Sequence, residues 1–451
     1  MSDIIAAIAT GRAPCAIGIL RLSGPGCAAL TGRVFTPKQP FADAPDRRLV
    51  LGLLHDRQGR VIDECLGVVC RAPHSYTGEE TVELQCHGSP AMLAAGLEAL
   101  LAVGARQAGP GEFTRRAFLN GKLDLTQAEA VVDLIDAETA DAAANAAGQL
   151  GGALKRAIEP VYDGLTDLCS HFHAVLDYPD EDIEDFGAAE LSGALDRAGA
   201  ALQELLATYE KGRHLRQGVR AVLLGKPNAG KSSLLNRLAG YDRVIVTDIA
   251  GTTRDTVEEP VRVGRVLLRL TDTAGIREAG DAIEALGVAR SEQAAREAEL
   301  ALFVCDGSQP LTDEDRRAIE AAKCAPRSLA LCNKSDLPAA VSPDELPFDT
   351  VLTVSARTGA GLDALPALLE GWFLGENDCD GSLLTNPRQF GALDRASRAI
   401  ERAKTGLGLG VTPDAVLTDV EEAMAALGEV TGRTVREDIT NRIFERFCVG
   451  K

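Results

Sequence analysis

Gly225-Lys226-Pro227-Asn228-Ala229-Gly230-Lys231-Ser232 decides the reading of this 451-residue chain. The stretch fits GxxxxGK[ST], follows the apolar run 219–224 and opens a helical segment at 233–238. In such a loop the backbone N–H groups turn inward around phosphates, and the helix N-terminus behind them adds partial positive charge. Asn228, Ala229, Gly230, Lys231, Ser232 and Ser233 are therefore the expected phosphate contacts. Lys231 is expected to reach the β and γ phosphates and Ser232 to hold Mg2+.

The companion motifs remove the alternative of a plain glycine turn. Asp272-Thr273-Ala274-Gly275 follows the run 266–270, where a strand end would bring a carboxylate near the metal and a glycine N–H near the γ phosphate. Asn333-Lys334-Ser335-Asp336 follows the run 328–332. The Asp336 carboxylate suits paired acceptance from the guanine N1–H and 2-amino groups. Adenine has no matching pair of donors, so the implied nucleotide is GTP. Ser355-Ala356-Arg357, after the run 350–354, reads as a further guanine-side element. Thr252 and Thr253 lie between loop and DTAG, where a switch segment must sit; Thr253 is the expected second Mg2+ ligand and a catalytic residue. The order and spacing match the GTPase superfamily.

Ile276 follows Gly275, where a Ras-like protein has a glutamine to orient water. This resembles a branch of GTPases in which a monovalent cation supplies the positive charge of an arginine finger. Asn228 and the segment Thr247-Asp248-Ile249-Ala250-Gly251 match that pattern. It makes Asn228, Thr247, Ile249 and Thr252 the expected K+ contacts.

Outward from the loop, residues 218–373 alternate apolar runs with helical segments, the pattern of a parallel sheet covered on both faces. Residues 1–120 read as mixed α/β, with strand-like runs at 16–22, 64–70 and 81–86 and a helix over 90–103. Long helices are expected over 126–150 and 188–209, with an acidic loop at 177–185, and over 388–408, 415–428 and 434–446. Helical regions at 121–217 and 374–451 on either side of the α/β segment suggest one discontinuous helical domain with a nucleotide-binding domain set into it.

The chain carries 47 basic and 66 acidic residues, net −19. That balance excludes a protein that grips nucleic acid by bulk basicity. The acid is uneven: residues 1–120 are net +1, 218–373 net −5, and the remainder net −15. No run of about 18 apolar residues occurs, so no membrane-spanning helix is expected. The first residues lack the basic and apolar regions of a secretory signal. Eleven cysteines with no CxxC spacing read as reduced thiols of a cytosolic, cytoplasmic protein. All but Cys448 are expected to be small buried hydrophobes. His171 and His173, two apart on a helix, cannot share a metal. Trp372 is expected to anchor the α/β segment against the helical region.

Four stretches together resemble the MnmE (TrmE) family: Gly18-Ile19-Leu20-Arg21-Leu22-Ser23-Gly24, the run 109–125 beginning Gly109-Pro110-Gly111-Glu112-Phe113-Thr114-Arg115-Arg116, the segment 245–255, and the terminal Phe447-Cys448-Val449-Gly450-Lys451. The resemblance covers essentially the whole chain. It implies three parts: an α/β N-terminal domain like tetrahydrofolate-binding domains (1–120), a discontinuous all-α domain (121–217 and 374–451), and an inserted Ras-like α/β P-loop G domain (218–373). It implies a homodimer formed through the N-terminal domain. It also implies joint action with the flavin-dependent partner MnmG (GidA), which carries FAD and most of the tRNA contact. The implied reaction adds an aminomethyl or carboxymethylaminomethyl group to C5 of the wobble uridine, from a tetrahydrofolate one-carbon donor. Carried over by position, Arg21, Glu83, Lys122 and Lys451 become folate contacts, Glu284 orients the attacking water, and Cys448 is nucleophile or packing residue. The competing reading is an Era- or Der-like ribosome-assembly GTPase. Such proteins usually carry a basic domain after the G domain, whereas residues 374–451 are net −3.

Overall fold

The computed structural model describes the chain apart from residues 1–2, 12, 38–39, 178–187, 242–257, 273–283, 376–378, 434–442, 446 and 451. Two compact units result: residues 1–132, 149–196 and 398–451 in one, 133–148 and 197–397 in the other.

In the first unit, strands Ile5–Ile8 (β1), Cys15–Ser23 (β2), Phe35–Pro37 (β3), Val50–His55 (β4), Val61–Cys70 (β5), Thr81–Gly88 (β6) and Arg106–Gln107 (β7) make one sheet in the order β3-β4-β5-β6-β2-β1-β7. Only β1 and β7 pair in parallel. The expected runs became β2, β5 and β6. Of the remaining strands, β3 and β7, with three and two residues, are too short to carry a period. One face buries Leu20, Leu22, Leu54, Val82 and Leu84 completely, packed with Leu93 and Leu100 of the helix Pro90–Ala102. The opposite face keeps Ile17, Leu51 and Leu53 between 37% and 60% exposed. The helix Ala153–Asp177, which carries Pro160 and holds His171 and His173, packs on the helix Pro413–Thr431. Cys169 Sγ lies 3.4 Å from Met424 Sδ, and His173 Nε2 faces Glu421 at 3.2 Å on the surface. Arg433 lies over the Tyr162 ring and pairs with Glu159 at 2.9 Å.

In the second unit, strands Val219–Leu224 (β8), Glu258–Val263 (β9), Val266–Asp272 (β10), Leu300–Asp306 (β11), Arg327–Asn333 (β12) and Val351–Thr353 (β13) take the order β13-β12-β11-β8-β10-β9. The sheet is parallel except at one edge. There β9 returns antiparallel to β10 through Gly264, which sits at φ +62°, a correction to the wholly parallel expectation. Every residue of β11 is buried, as a central strand covered on both faces requires.

The single helix expected over 126–150 is two helices, Leu125–Ile135 and Ala140–Leu150. The Thr139 hydroxyl accepts the Ala142 N–H at 3.1 Å, a local cap that starts the second helix. Acidic side chains around this break meet arginines of the sheet domain: Asp133 with Arg216 at 2.6 Å, Glu138 with Arg269 at 2.6 Å, and Asp141 with Arg265. These ion pairs explain why 133–148 cluster with the sheet rather than with the other helices. The expected helix 188–209 is the helix Ala188–Ala207, and a further helix, Tyr209–Gln217, starts at its end. Residues 388–408 and 415–428 fall in the helices Pro387–Gly408 and Pro413–Thr431. Most of the expected helix 434–446 and of the acidic loop lies outside the described residues.

All eleven cysteines are free, but Cys15 is exposed and Cys70, Cys324 and Cys379 are half-buried, so not all ten were buried hydrophobes. Trp372 has the Arg327 guanidinium over its ring at 5.4 Å and touches Phe373, both within the sheet domain. Among the described residues no helix is long and apolar enough to cross a membrane.

Candidate functional site

The strand order reverses at β8, so its carboxyl end opens a crevice between β11 and β10. The phosphate loop leaves β8 there. Gly225 adopts φ +146°, and a Cβ on it would lie 2.1 Å from the Val304 carbonyl oxygen of β11; only glycine allows that approach. Gly230, at φ +97°, sits equally tight against the Asn333 amide. Asn228 also takes a left-handed conformation, φ 63°, which asparagine tolerates better than other side chains. Lys231 opens the helix Lys231–Tyr241 and is buried. Its Nζ donates to the carbonyls of Gly225 at 2.6 Å and Lys226 at 2.8 Å. Ser232 and Ser233 follow on the exposed side of the first turn.

Asn333 ends β12 with its side chain buried. Its Nδ2 donates to the Ala229 carbonyl at 2.9 Å, and its Oδ1 accepts the Ala356 N–H at 2.9 Å. One amide thus joins the phosphate loop to the loop of Ser355, Ala356 and Arg357. Ser355 donates its hydroxyl to Asp336 Oδ1 at 2.5 Å, and Arg357 pairs with Oδ2 at 2.5 Å. The Ser355 hydrogen bond is the main reason the Asp336 carboxyl lies below the ordinary carboxylate range. The group is therefore an ionised acceptor, as guanine recognition needs. Lys334 lies at φ 67° and pairs with Asp306 at 2.6 Å. A cavity of about 550 Å³ opens beside the loop, lined by Lys226, Asn228, Asp306, Thr312 and Lys334 among others.

Asp272 closes β10 opposite Leu223 of β8, two residues before the loop begins. Glu284 is the first residue of the helix Glu284–Glu297. Thr273, Ala274, Gly275 and the segment Thr247, Asp248, Ile249, Ala250, Gly251, Thr252 and Thr253 lie outside the described residues.

The first unit holds a second cluster. Arg21 on β2 and Glu83 on β6 face each other in register and pair at 2.8 Å. The Arg21 guanidinium lies 5.7 Å from the Tyr76 ring and 5.8 Å from the Phe113 ring, and donates to the Gly450 carbonyl at 3.4 Å. The end of the chain reaches this sheet because Val449 bridges to Pro110 and the Gly111 N–H donates to the Cys448 carbonyl at 3.4 Å. Two left-handed glycines permit it: a Cβ on Gly450 would lie 2.4 Å from the Ile8 carbonyl, and one on Gly111 would lie 2.7 Å from that of Phe444. Cys448 is exposed. Lys122 stands apart from the Arg21–Glu83 pair, donating to the Pro73 carbonyl at 3.2 Å with its stem against Gly78. It borders the loop that carries Tyr76. Lys451 lies outside the described residues. Sequence reasoning missed Tyr76; its only signal was its place five residues before Thr81, where the strand of Glu83 begins.

Asn333→Ala strips partners from two buried backbone groups. It is expected to lower the unfolding free energy by about 2–4 kcal/mol and to weaken GTP binding. Urea denaturation and an equilibrium nucleotide titration read both effects; unchanged values would reject the bridging role.

The sequence model described as MnmE helical domain matches residues 125–448, and the one described as GTP-binding protein TrmE N-terminus matches residues 4–122. Proteins named tRNA modification GTPase MnmE are similar end to end. The relative from Roseiflexus sp. (strain RS-1) is 45% identical, with 100% of this chain and 99% of that protein aligned. That from Xanthomonas campestris pv. campestris (strain 8004) is 43% identical over 100% and 99%. That from Aquifex aeolicus (strain VF5) is 40% identical over 100% of both. With the phosphate loop, the Asn333–Asp336 element and the docked carboxyl terminus in place, the chain belongs to the MnmE (TrmE) family, GTP hydrolases that act in tRNA modification.

Proposed function

We propose that this GTPase is activated by K+ and works with a flavin-dependent partner of the MnmG (GidA) type. Together they add an aminomethyl or carboxymethylaminomethyl group to C5 of the wobble uridine of certain tRNAs. The carbon comes from a tetrahydrofolate derivative, and FAD belongs to the partner. The observation that carries this reading is the docking of Cys448-Val449-Gly450 beside Arg21 and Glu83, 429 residues away from Arg21 in sequence. A GTPase used only as a switch has no need to bring its last residues to an Arg–Glu pair between two aromatic rings.

The groups in that cluster fit a folate. A carboxylate such as Glu83 can accept from pterin N–H groups, and Arg21, Lys122 and Lys451 can pair with carboxylates of the tail. Tyr76 offers an aromatic face. In the G domain, Lys231 and Ser232 would hold the phosphates and Mg2+, with Thr253. Asn228, Thr247, Ile249 and Thr252 would hold K+. The left-handed backbone of Asn228 at the edge of the loop cavity supports a ligating role. Glu284 would orient the attacking water, and Cys448 either reacts or packs.

The sheet face that carries Arg21 and Glu83 also carries the exposed Ile17, Leu51 and Leu53, in line with β2, β6, β5 and β4 across the ladder. Apolar side chains left uncovered on a sheet face support a homodimer formed there. A net charge of −19 supports leaving most of the tRNA contact to the partner. The four segments 1–120, 121–217, 218–373 and 374–451 are the working division of the chain.

Nucleoside mass analysis of tRNA from a deletion strain should show wobble uridines without the C5 substituent; intact modification would overturn the function. GTP turnover should rise at least about tenfold in K+ over Na+, a change of about 1.4 kcal/mol in barrier, and equal rates would remove the cation site. Arg21→Met should weaken tetrahydrofolate binding by about 10–100-fold, as expected for a lost hydrogen bond to a charged group. Fluorescence titration checks this; an unaltered affinity counts against the folate cluster.

A further inference from the structure

Lys226, the second residue of the phosphate loop, points its side chain away from the loop. Its Nζ donates to Asp315 Oδ2 at 2.8 Å, 89 residues further along the chain. Asp315 sits in the first turn of the helix Asp313–Ala322, which follows β11, and is 0% exposed. It forms a capping box with Thr312: the Thr312 hydroxyl accepts the Asp315 N–H, and Asp315 accepts the Thr312 N–H at 2.8 Å. A capping-box acid usually lies at the surface, where water completes its solvation. Here the same Oδ2 receives the Thr312 N–H, the Thr312 hydroxyl and the Lys226 ammonium. The other oxygen, Oδ1, is buried and has no hydrogen-bond partner among the described residues. Lys226 is itself mostly buried, at 12% side-chain exposure. A buried carboxylate with one oxygen left unbonded relies on the cation that pairs with it, here Lys226.

The backbone of Lys226 has a different task. Its carbonyl and that of Gly225 both accept from the Lys231 amine. Gly225 is pressed against β11. Lys226 is tied to the helix that β11 leads into. The two carbonyls are thus held at both ends, and they determine where the Lys231 amine waits. The pairing also removes a second ammonium from the loop interior, leaving Lys231 as the amine inside it.

We propose that Lys226 and Asp315 are positioning residues for nucleotide binding: their buried ion pair anchors the first turn of the phosphate loop and holds the carbonyls that pre-place Lys231. Neither touches the reacting atoms. The pair acts on ground-state binding of the phosphates, so its loss moves affinity and KM rather than kcat.

The test uses the full-length protein with GTP and a fluorescent GDP analogue as probes. Lys226→Met and Asp315→Asn should each raise the nucleotide Kd and the KM for GTP by about tenfold or more, with kcat within about threefold of the parent. Lys226→Arg, which keeps a cation on the carboxylate as a guanidinium, should restore affinity. The double variant Lys226→Met with Asp315→Asn should bind no worse than either single variant, because both act through one contact. Thermal unfolding is measured alongside. A fall in stability with unchanged nucleotide affinity makes the pair structural only and overturns the proposal. Additive losses in the double variant, or a loss confined to kcat, overturn it as well. If Lys226→Met does not fold, the comparison of Lys226→Arg with Lys226→Gln carries the same decision: equal affinities reject the proposal.

Discussion

The side-chain amide of Asn333 is the joint on which the nucleotide site is hung. It is buried at the end of β12, and each of its ends is committed: Nδ2 to the phosphate loop at Ala229, Oδ1 to the Ala356 N–H. A buried amide left half-satisfied is costly, so both loops are held in one arrangement. The tight approach of Gly230 to the same amide closes the remaining freedom. Asp336, three residues on, is then oriented by Ser355 and Arg357, so its carboxylate and the phosphate loop share one frame.

The sheet explains why such a joint can exist. β8, β11, β12 and β13 run parallel, so their carboxyl ends all open on one edge. The loops after β8, β12 and β13 therefore meet there, as does Asp306 at the end of β11. Buried Leu, Val and Ala side chains on both faces hold the strands in register. The polar chemistry is confined to the strand ends, where backbone groups would otherwise lack partners.

In the other unit, glycine rather than an amide is the enabling residue. Gly111 and Gly450 let the end of the chain lie against β1 and the helix Glu112–Leu119 at distances no side chain would allow. That brings the Gly450 carbonyl to Arg21. Arg116 stands nearby as a structural cation, donating to Asp3, Glu79 and Glu112 from a site only 10% exposed. The neighbouring arginines therefore have different partners: Arg116 is consumed by three carboxylates, whereas Arg21 pairs with one and lies against two rings.

Much of the nucleotide domain was legible from local pattern. The runs 219–224, 300–305 and 328–332 became strands nearly residue for residue, because a strand buried on both faces is apolar throughout and needs no context to be seen. The motifs were legible for a similar reason: phosphate and guanine binding are done by short contiguous loops whose glycines and carboxylates cannot be replaced without losing the geometry. Local pattern failed where partners are distant. The acidic side chains around the break between Leu125–Ile135 and Ala140–Leu150 find their arginines 80 and more residues away, and the edge strand β9 acquires its identity only from β10. The role of Lys226 depends on Asp315, 89 residues further along the chain. Tyr76 joined a site only through Arg21. By itself the sequence determined the motif pattern of a GTPase and which family the chain resembles, since each of these is written in adjacent residues. Tertiary structure alone decided that the terminal motif returns to Arg21 and Glu83, and that a buried carboxylate holds the phosphate loop from behind. Both depend on long-range packing and desolvation, which no window of neighbouring residues contains.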